Sequence, residues 1–209
     1  QRHDLGLALP AEDLSIKAAR ALQQASGTSF GADIHLDKRV PWAAGLGGGS
    51  SDAASTLLAL NRLWDLHWPR DQLLQLAAPL GADVPFFVGG RNAFVQGIGD
   101  DLTPLHVPPQ WLAVLKPAAG LETAKIFSHP ELRRATPPAI VAGFLADAAQ
   151  PGFWQQGFGH NDLQPVAEML CPEVAQAAQW LQRHFGNSRM TGSGSAVFAR
   201  SGLIQGTGD

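Results

Sequence analysis

The stretch PWAAGLGGGSSDAAS, from Pro41 to Ser55, places four glycines in five positions and follows them with two serines and an aspartate. Glycine adopts positive φ without a steric penalty and allows close approach to the main chain, so such a run presents several N–H groups in a concave nest. An alternating strand pattern over 34–40 precedes the run, and a helical apolar pattern over 54–64 follows it. The order predicts a strand, a glycine loop and a helix, and we expect Ser50 or Ser51 to cap that helix.

A nest at a helix N-terminus is suited to phosphate, because free N–H groups and the positive end of the helix dipole meet there. We therefore expect the loop to bind a polyphosphate, with the serine oxygens available to the Mg²⁺ that accompanies it. The alternative is that the segment is a flexible glycine loop and that Ser-Ser-Asp only caps the helix. A Walker loop needs a lysine directly after its last glycine, and none of the four lysines follows a glycine. Dinucleotide binding is a weaker interpretation than polyphosphate binding. A dinucleotide-binding unit has a buried, apolar strand before its glycines and an acidic residue at the end of the next strand, about 20 residues on. Here apolar and polar residues alternate in the preceding strand, and the acidic residue at that distance, Asp65, lies at the end of a helix.

The composition narrows the class of protein. The chain has 209 residues, of which 45% are hydrophobic and 16% charged, with a formal net charge of −3 and no basic run, which argues against nucleic acid as the partner. Its single cysteine, Cys171, forms no internal disulfide and fits a reducing compartment. No stretch approaches the roughly 20 apolar residues of a membrane span. We expect a cytoplasmic protein.

The remaining pattern is mixed α and β. Helices are expected over 14–24, 71–80, 138–149, 161–170 and 173–185, strands 93–96 and 111–115 are expected to pair, and a last strand covers 196–198. The glycine- and proline-rich segment near 104–111 suggests a boundary between two domains, 1–108 and 109–209. No histidine spacing typical of a metal site occurs, and His160-Asn161-Asp162 is interpreted as a loop and helix cap.

Four segments in this order resemble the GHMP kinase superfamily of galactokinase, homoserine kinase, mevalonate kinase and phosphomevalonate kinase: DKRVP at 37–41, the glycine loop, LGADVPFF at 80–87 and MTGSGSAVFA at 190–199. Within it they are most similar to the kinases of 4-diphosphocytidyl-2-C-methyl-D-erythritol, in non-mevalonate isoprenoid biosynthesis. The resemblance runs from about residue 12 to residue 200. It implies an α+β fold with a ribosomal-S5-like ATP-phosphate-binding domain at 1–108, a ferredoxin-like substrate domain at 109–209, and both substrates in the cleft between them.

The resemblance also implies the chemistry. ATP, arriving with Mg²⁺ and without a dedicated protein cage for the metal, would phosphorylate the 2-hydroxyl of a cytidyl diphospho sugar alcohol, with no nucleic-acid or membrane partner and with the protein a monomer or weak homodimer. Asp83 would be the catalytic carboxylate, although its residue type and neighbours alone favour a turn or capping aspartate. The other implied residues are Lys38 and Pro41 near the nucleotide, Gly45, Leu46, Gly47, Gly48, Gly49, Ser50 and Ser51 around its phosphates, Ala82 and Thr123 at the substrate, and Thr191, Gly192, Ser193 and Gly194 in a cleft loop.

The chain departs from that family at its ends. The family opens with a strand carrying a lysine, followed by a histidine and an aromatic residue that grip the substrate, and no equivalent precedes Leu5. We expect both ends of the complete gene product to extend further, and that product to be the active kinase. Two alternatives remain open: a sister kinase of the homoserine or mevalonate type, and a non-catalytic ATP-binding protein that keeps the phosphate cradle.

Overall fold

The computed structural model describes residues 2–3, 12–99, 101–137 and 159–203, and the helix expected at 138–149 lies outside them. Contacts divide the chain into two compact units, one of Gln1–Val40 and Gly47–His106 and the other of Pro41–Leu46 and Val107–Asp209. The described elements, in chain order, are β1 Arg2–His3, α1 Leu14–Ser26, β2 Leu36–Asp37, α2 Gly48–Leu63, α3 Arg70–Ala77 with a 3₁₀ turn Ala78–Leu80, α4 Val84–Gly89, β3 Ala93–Gln96, β4 Asp101–Pro104, β5 Gln110–Leu115, α5 Thr123–Ser128, α6 Gln164–Leu170, α7 Pro172–Phe185, β6 Arg189–Met190 and β7 Val197–Leu203.

The first unit is built around four packed helices. Helix α1 begins where the Asp13 carboxylate accepts from the N–H of Ser15 at 2.9 Å, and ends at Gly27 in the left-handed conformation. It packs on α2, which also packs on α4, and α4 in turn packs on α3. The core between them consists of fully buried small and branched side chains, including Ala18, Leu22, Ala53, Leu57, Leu73, Val84 and Val88. The small alanine side chains of α1 and α2 let these two helices approach closely.

The expected pairing of strand 93–96 with strand 111–115 is wrong. Strand β3 pairs antiparallel with β4, from Ala93 opposite Pro104 to Gln96 opposite Asp101, within the segment that the sequence indicated as a loop. Two glycines at positive φ, Gly97 and Gly99, allow the tight reversal between them. The strand at 111–115 exists, but it belongs to the second unit.

The second unit contains a three-stranded antiparallel sheet in the order β5-β7-β6. Strand β7 lies in the middle, with Leu115 of β5 and Met190 of β6 both opposite Val197. Helices α5, α6 and α7 contribute the remaining core, whose largest fully buried side chains are Ile126, Val166, Val174, Leu181, Met190 and Val197. Helix α7 ends at Gly186, which adopts a left-handed φ of 70°.

The other expectations on secondary structure hold with shifted ends. The helices expected at 14–24, 71–80, 161–170 and 173–185 are confirmed as α1, α3 with its 3₁₀ turn, α6 and α7. The strand expected at 34–40 is reduced to the two residues of β2, which pair in parallel with β1. Among the described helices, none is both long and apolar enough to cross a membrane.

Candidate active site

The glycine loop ends in a helix that starts earlier than expected. Neither Ser50 nor Ser51 caps α2; the capping position is Gly47, with a left-handed φ of 67°, and the helix begins at Gly48. A side chain is excluded at Gly47, because its Cβ would lie 2.7 Å from the ring of Phe87 in α4. The prediction missed this because it favoured hydroxyl caps, whereas a left-handed capping residue in contact with an aromatic ring must be glycine. Both serines therefore lie in the first turn.

The first turn of α2 offers free donors. The N–H of Ser51 donates to the carbonyl of Gly47 at 2.9 Å and starts the helical ladder. The preceding N–H groups, of Gly48, Gly49 and Ser50, have no acceptor among the described residues. These residues are only partly buried, so the donors are open to a ligand. Unbonded N–H groups at the positive end of a helix of 16 residues are suited to an anion.

The first half of the glycine loop is held by the second unit, to which Pro41–Leu46 belongs. The N–H groups of Ser195 and Ala196 donate to the carbonyls of Ala43 and Ala44, at 3.0 and 3.2 Å. The Thr191 hydroxyl donates to the Gly45 carbonyl at 2.8 Å. Residues 191–196 thus line the loop segment with three hydrogen bonds to consecutive carbonyls.

Gly45 and the 191–194 loop meet backbone to backbone. A Cβ on Gly45, whose φ is 68°, would overlap the Thr191 carbonyl oxygen and lie 2.9 Å from the Gly194 nitrogen. A Cβ on Gly192 would in turn lie 3.1 Å from the Gly45 carbonyl oxygen. The two glycine-rich segments that the sequence singled out are therefore in contact, and their glycines are required by that contact.

Thr123 belongs to the same part of the second unit. It is the first residue of α5, and its hydroxyl shares a hydrogen bond with the Ser193 hydroxyl, 2.8 Å between the oxygens. Both hydroxyls remain accessible enough to exchange this bond for one to a ligand. Thr123, the 191–194 loop and Gly45 are thus brought together within one unit.

Asp83 occupies the capping position of α4 without acting as a cap. Its side chain accepts no capping hydrogen bond, it is exposed, and no side-chain partner for it occurs within the described residues. Behind it, the backbone of Ala82 is in contact with Gly99 of the β3–β4 turn, where a Cβ would overlap the Ala82 carbonyl oxygen. The Asp83 carboxylate is thus exposed and makes no capping bond, while the backbone beside it is closely packed.

Phe87 connects Asp83 with the glycine loop inside the first unit. Its N–H donates to the Asp83 carbonyl at 3.4 Å, and its ring fills the space that a Gly47 side chain would need. Helices α2 and α4 therefore present their N-terminal ends in the same region of this unit. The free N–H groups at the start of α2 and the exposed Asp83 carboxylate thus belong to helices in contact.

Lys38 is ion-paired on both sides. Its Nζ lies 2.6 Å from Asp52 of α2 and 3.0 Å from Asp13, which caps α1, and its side chain is only 15% exposed. Burial alone would lower the pKa of Lys38, but the hydrogen bonds to Asp52 and Asp13 outweigh burial and raise the pKa above its ordinary value. Asp52, one helical turn into α2, is thus paired with a cation. The sequence could not indicate this pair, since the two residues are fourteen positions apart.

The chain matches known families over most of its length. Residues 13–91 match the family model described as GHMP kinases N terminal domain, and residues 138–201 match GHMP kinases C terminal. A kinase of Methylibium petroleiphilum named 4-diphosphocytidyl-2-C-methyl-D-erythritol kinase is 59% identical over 201 residues, which are 96% of this chain and 68% of that protein. Against two Polaromonas kinases of the same name, the chain spans 64% and 61% of their length.

Solved structures of kinases superpose on this chain, in agreement with the family models. The crystal structure of a 4-(cytidine 5′-diphospho)-2C-methyl-D-erythritol kinase superposes with a TM-score of 0.77 at 36% identity, covering 98% of this chain and 72% of that one. A homoserine kinase from Cytophaga hutchinsonii superposes with a TM-score of 0.69 at 19% identity, covering 97% and 71%, which shows the shared fold alone.

The two family models and the α+β fold define an ATP-dependent small-molecule kinase of the GHMP type. The chain belongs to the family of 4-diphosphocytidyl-2-C-methyl-D-erythritol kinases. The resemblance drawn from the sequence and the fold class it implied are thereby confirmed.

Proposed function

We propose that the gene product containing this chain transfers the γ-phosphate of ATP to the 2-hydroxyl of 4-diphosphocytidyl-2-C-methyl-D-erythritol. The observation that carries the proposal is the contact of the Phe87 ring with Gly47 at the start of α2. Phe87 belongs to α4, whose capping position is Asp83, so the free N–H groups and this exposed carboxylate belong to helices in contact. Phosphoryl transfer needs positioned phosphates and an oriented acceptor hydroxyl more than covalent help from the protein. The relatives that carry this kinase name support the choice of substrate.

The glycine loop would hold the phosphates. The N–H groups of Gly48, Gly49 and Ser50 point from the positive end of α2 and would bind phosphate oxygens. Mg²⁺ would enter with ATP as part of the substrate, and the hydroxyls of Ser50 and Ser51, which have no partner among the described residues, are oxygen ligands of the kind this ion prefers. The ion pair with Lys38 offsets part of the Asp52 charge and so weakens its repulsion of the phosphates from one helical turn away.

Asp83 would orient the acceptor hydroxyl and accept its proton. Its carboxylate is exposed and accepts no capping hydrogen bond, which supports this role. The backbone at Ala82, next to it, would contact the substrate. In the second unit, the Thr123 and Ser193 hydroxyls would exchange their mutual hydrogen bond for one to the cytidyl group.

The test is ADP release by the full-length gene product with Mg-ATP, with and without 4-diphosphocytidyl-2-C-methyl-D-erythritol, comparing Asp83→Asn with the wild type. Asp71→Asn is the matched control, because Asp71 is also an exposed aspartate at the start of a helix in the same unit. We expect Asp83→Asn to lower kcat by about 10²–10⁴-fold with an unchanged melting temperature, and the control to retain activity.

The same assay separates the alternatives. ADP release with homoserine or mevalonate in place of the cytidyl substrate would indicate a sister kinase. ATP binding without turnover of any of these acceptors would indicate a binding protein. Equal activity of Asp83→Asn and wild type would leave the kinase standing and remove Asp83 as its base.

We also propose that the protein acts in the cytoplasm as a monomer or weak homodimer. A single cysteine, buried in the second unit, suits a reducing compartment. Light scattering after size exclusion at two concentrations would test the assembly state, and cell fractionation the location.

A further inference from the structure

Asn161 uses all of its side-chain hydrogen-bonding groups on the main chain. It lies shortly before α6, and its Oδ1 accepts from the Leu163 N–H at 3.0 Å, a local turn of the kind expected for this residue type. Its Nδ2 donates to two carbonyls far away in the sequence, those of Met190 at 2.9 Å and Gly192 at 2.8 Å. The side chain therefore joins the start of α6 to the loop that follows β6.

The two carbonyls flank the residue that holds the glycine loop. Thr191 lies between Met190 and Gly192, and its hydroxyl donates to the Gly45 carbonyl at 2.8 Å. The Gly192 backbone is itself packed against Gly45, since a Cβ there would lie 3.1 Å from the Gly45 oxygen. By holding the carbonyls of the residues before and after Thr191, Asn161 restricts the direction from which the hydroxyl reaches Gly45.

We propose that Asn161 is a positioning residue for ATP binding, acting through Met190–Gly192 on the Pro41–Leu46 half of the glycine loop. The inference rests on the proposed function, because it assumes that the glycine loop binds the phosphates of ATP. A loop that is held in place before binding loses less conformational entropy on binding, so the bonds from Asn161 contribute to affinity without any contact to the nucleotide. The residue type is suited to the task, because only an amide side chain can donate twice and accept once at this position.

The chain contains a matched control. Asn187 in the same unit has the same bonding pattern: its Nδ2 donates to the carbonyls of Phe185 at 2.9 Å and Arg200 at 3.1 Å, and its Oδ1 accepts from the Arg200 N–H at 2.7 Å. These bonds join α7 to β7 and do not involve the 190–192 peptides. Asn187→Asp and Asn161→Asp remove the same two donors, but only Asn161→Asp removes them from the loop that holds Gly45.

The experiment measures the Kd for ATP by titration calorimetry in the full-length gene product without the acceptor substrate, together with the KM for ATP, kcat and the melting temperature. We expect Asn161→Asp to raise the Kd and the KM for ATP about tenfold with little change in kcat, and Asn187→Asp to change the Kd less than twofold at a similar loss of melting temperature. Asn161→Ser, which keeps an acceptor for Leu163 but lacks the amide, provides a second variant if the aspartate does not fold.

A double variant tests the route. Because Asn161 acts through Thr191, combining Asn161→Asp with Thr191→Val should weaken ATP binding less than the product of the two single effects. Equal Kd changes in the Asn161 and Asn187 variants, or multiplying effects in the double variant, would overturn the proposal while leaving the kinase intact. A folded wild-type protein that binds no ATP would overturn both the proposal and the assignment of the glycine loop.

Discussion

Replacing Gly45 by alanine should damage the glycine loop far more than a change of backbone preference explains. Gly45 has a φ of 68°, which costs an L-residue about 1–2 kcal/mol. Its added Cβ would also overlap the Thr191 carbonyl oxygen and lie 2.9 Å from the Gly194 nitrogen, two backbone atoms that cannot rotate away. The loop must therefore separate from residues 191–194.

The size of the effect follows from the bonds lost. Separation breaks the Thr191–Gly45 hydrogen bond of 2.8 Å and strains the Ser195–Ala43 bond of 3.0 Å. At about 0.5–1.5 kcal/mol for each bond, the contact adds roughly 1–3 kcal/mol to the conformational cost. If the first turn of α2 binds the phosphates as proposed, ATP affinity should also fall at least tenfold, because the displaced segment leads directly into that turn.

Gly186→Ala is the control for conformation alone. Gly186 has a similar φ of 70° in the same unit, and nothing lies within 4 Å of the Cβ position. Its replacement should cost about 1 kcal/mol and leave ATP binding unchanged. Urea denaturation and ATP titration would compare the free energy of unfolding and the ATP affinity of the two variants. If Gly45→Ala loses no more stability than Gly186→Ala, the two glycine-rich segments are not in the tight contact described, and the reasoning is refuted.

Two further predictions concern the first unit. Gly99→Ala should displace Ala82 and, with it, the Asp83 backbone, because the Cβ of the new alanine would overlap the Ala82 carbonyl. We expect kcat to fall at least tenfold, with a smaller change in the KM for ATP. A fall in melting temperature without a change in kcat would contradict this prediction. Burial opposes ionisation of Asp13, but hydrogen bonds from the backbone N–H two residues on and from Lys38 outweigh it and lower the pKa of Asp13 below 3.8. Because the pKa of Asp13 is lower in the folded state, its ionised carboxylate stabilises the fold at pH values above the ordinary pKa, and this stabilisation is lost as the pH falls through the folded-state pKa. Asp13→Asn should therefore cost on the order of 1 kcal/mol of stability at pH 7 and progressively less below pH 4, as followed by urea denaturation. A cost that does not change with pH would contradict the assignment.

The local sequence pattern predicted much of the secondary structure, because helices, strands and turns depend on residues that are close together in the sequence. The apolar period of α1 and α7, the glycine run and the alternation before it are all features within about four residues of one another, which is the range over which backbone conformation is decided. The likeness of four segments to one kinase family then supplied Asp83, Thr123 and the 191–194 loop as candidates. The structure shows that Thr123 and this loop lie together and that Asp83 is free of capping duties.

Only the tertiary structure decided which distant groups meet. Strand 93–96 was expected to pair with 111–115, yet it pairs with β4, the next strand along the chain. The entropic cost of closing a loop depends only weakly on its length, so the choice between the two partners depends on packing, which the sequence pattern does not show. The same holds for Lys38 with Asp52, and for Asn161 with the carbonyls on either side of Thr191. The sequence by itself determined that a glycine-rich turn suited to phosphate starts a helix. How the preceding loop segment is held was decided by the tertiary structure, in which the Thr191 hydroxyl and the N–H groups of Ser195 and Ala196 bind its backbone carbonyls. Every residue carries such a carbonyl, so the sequence does not indicate which carbonyls will be bound.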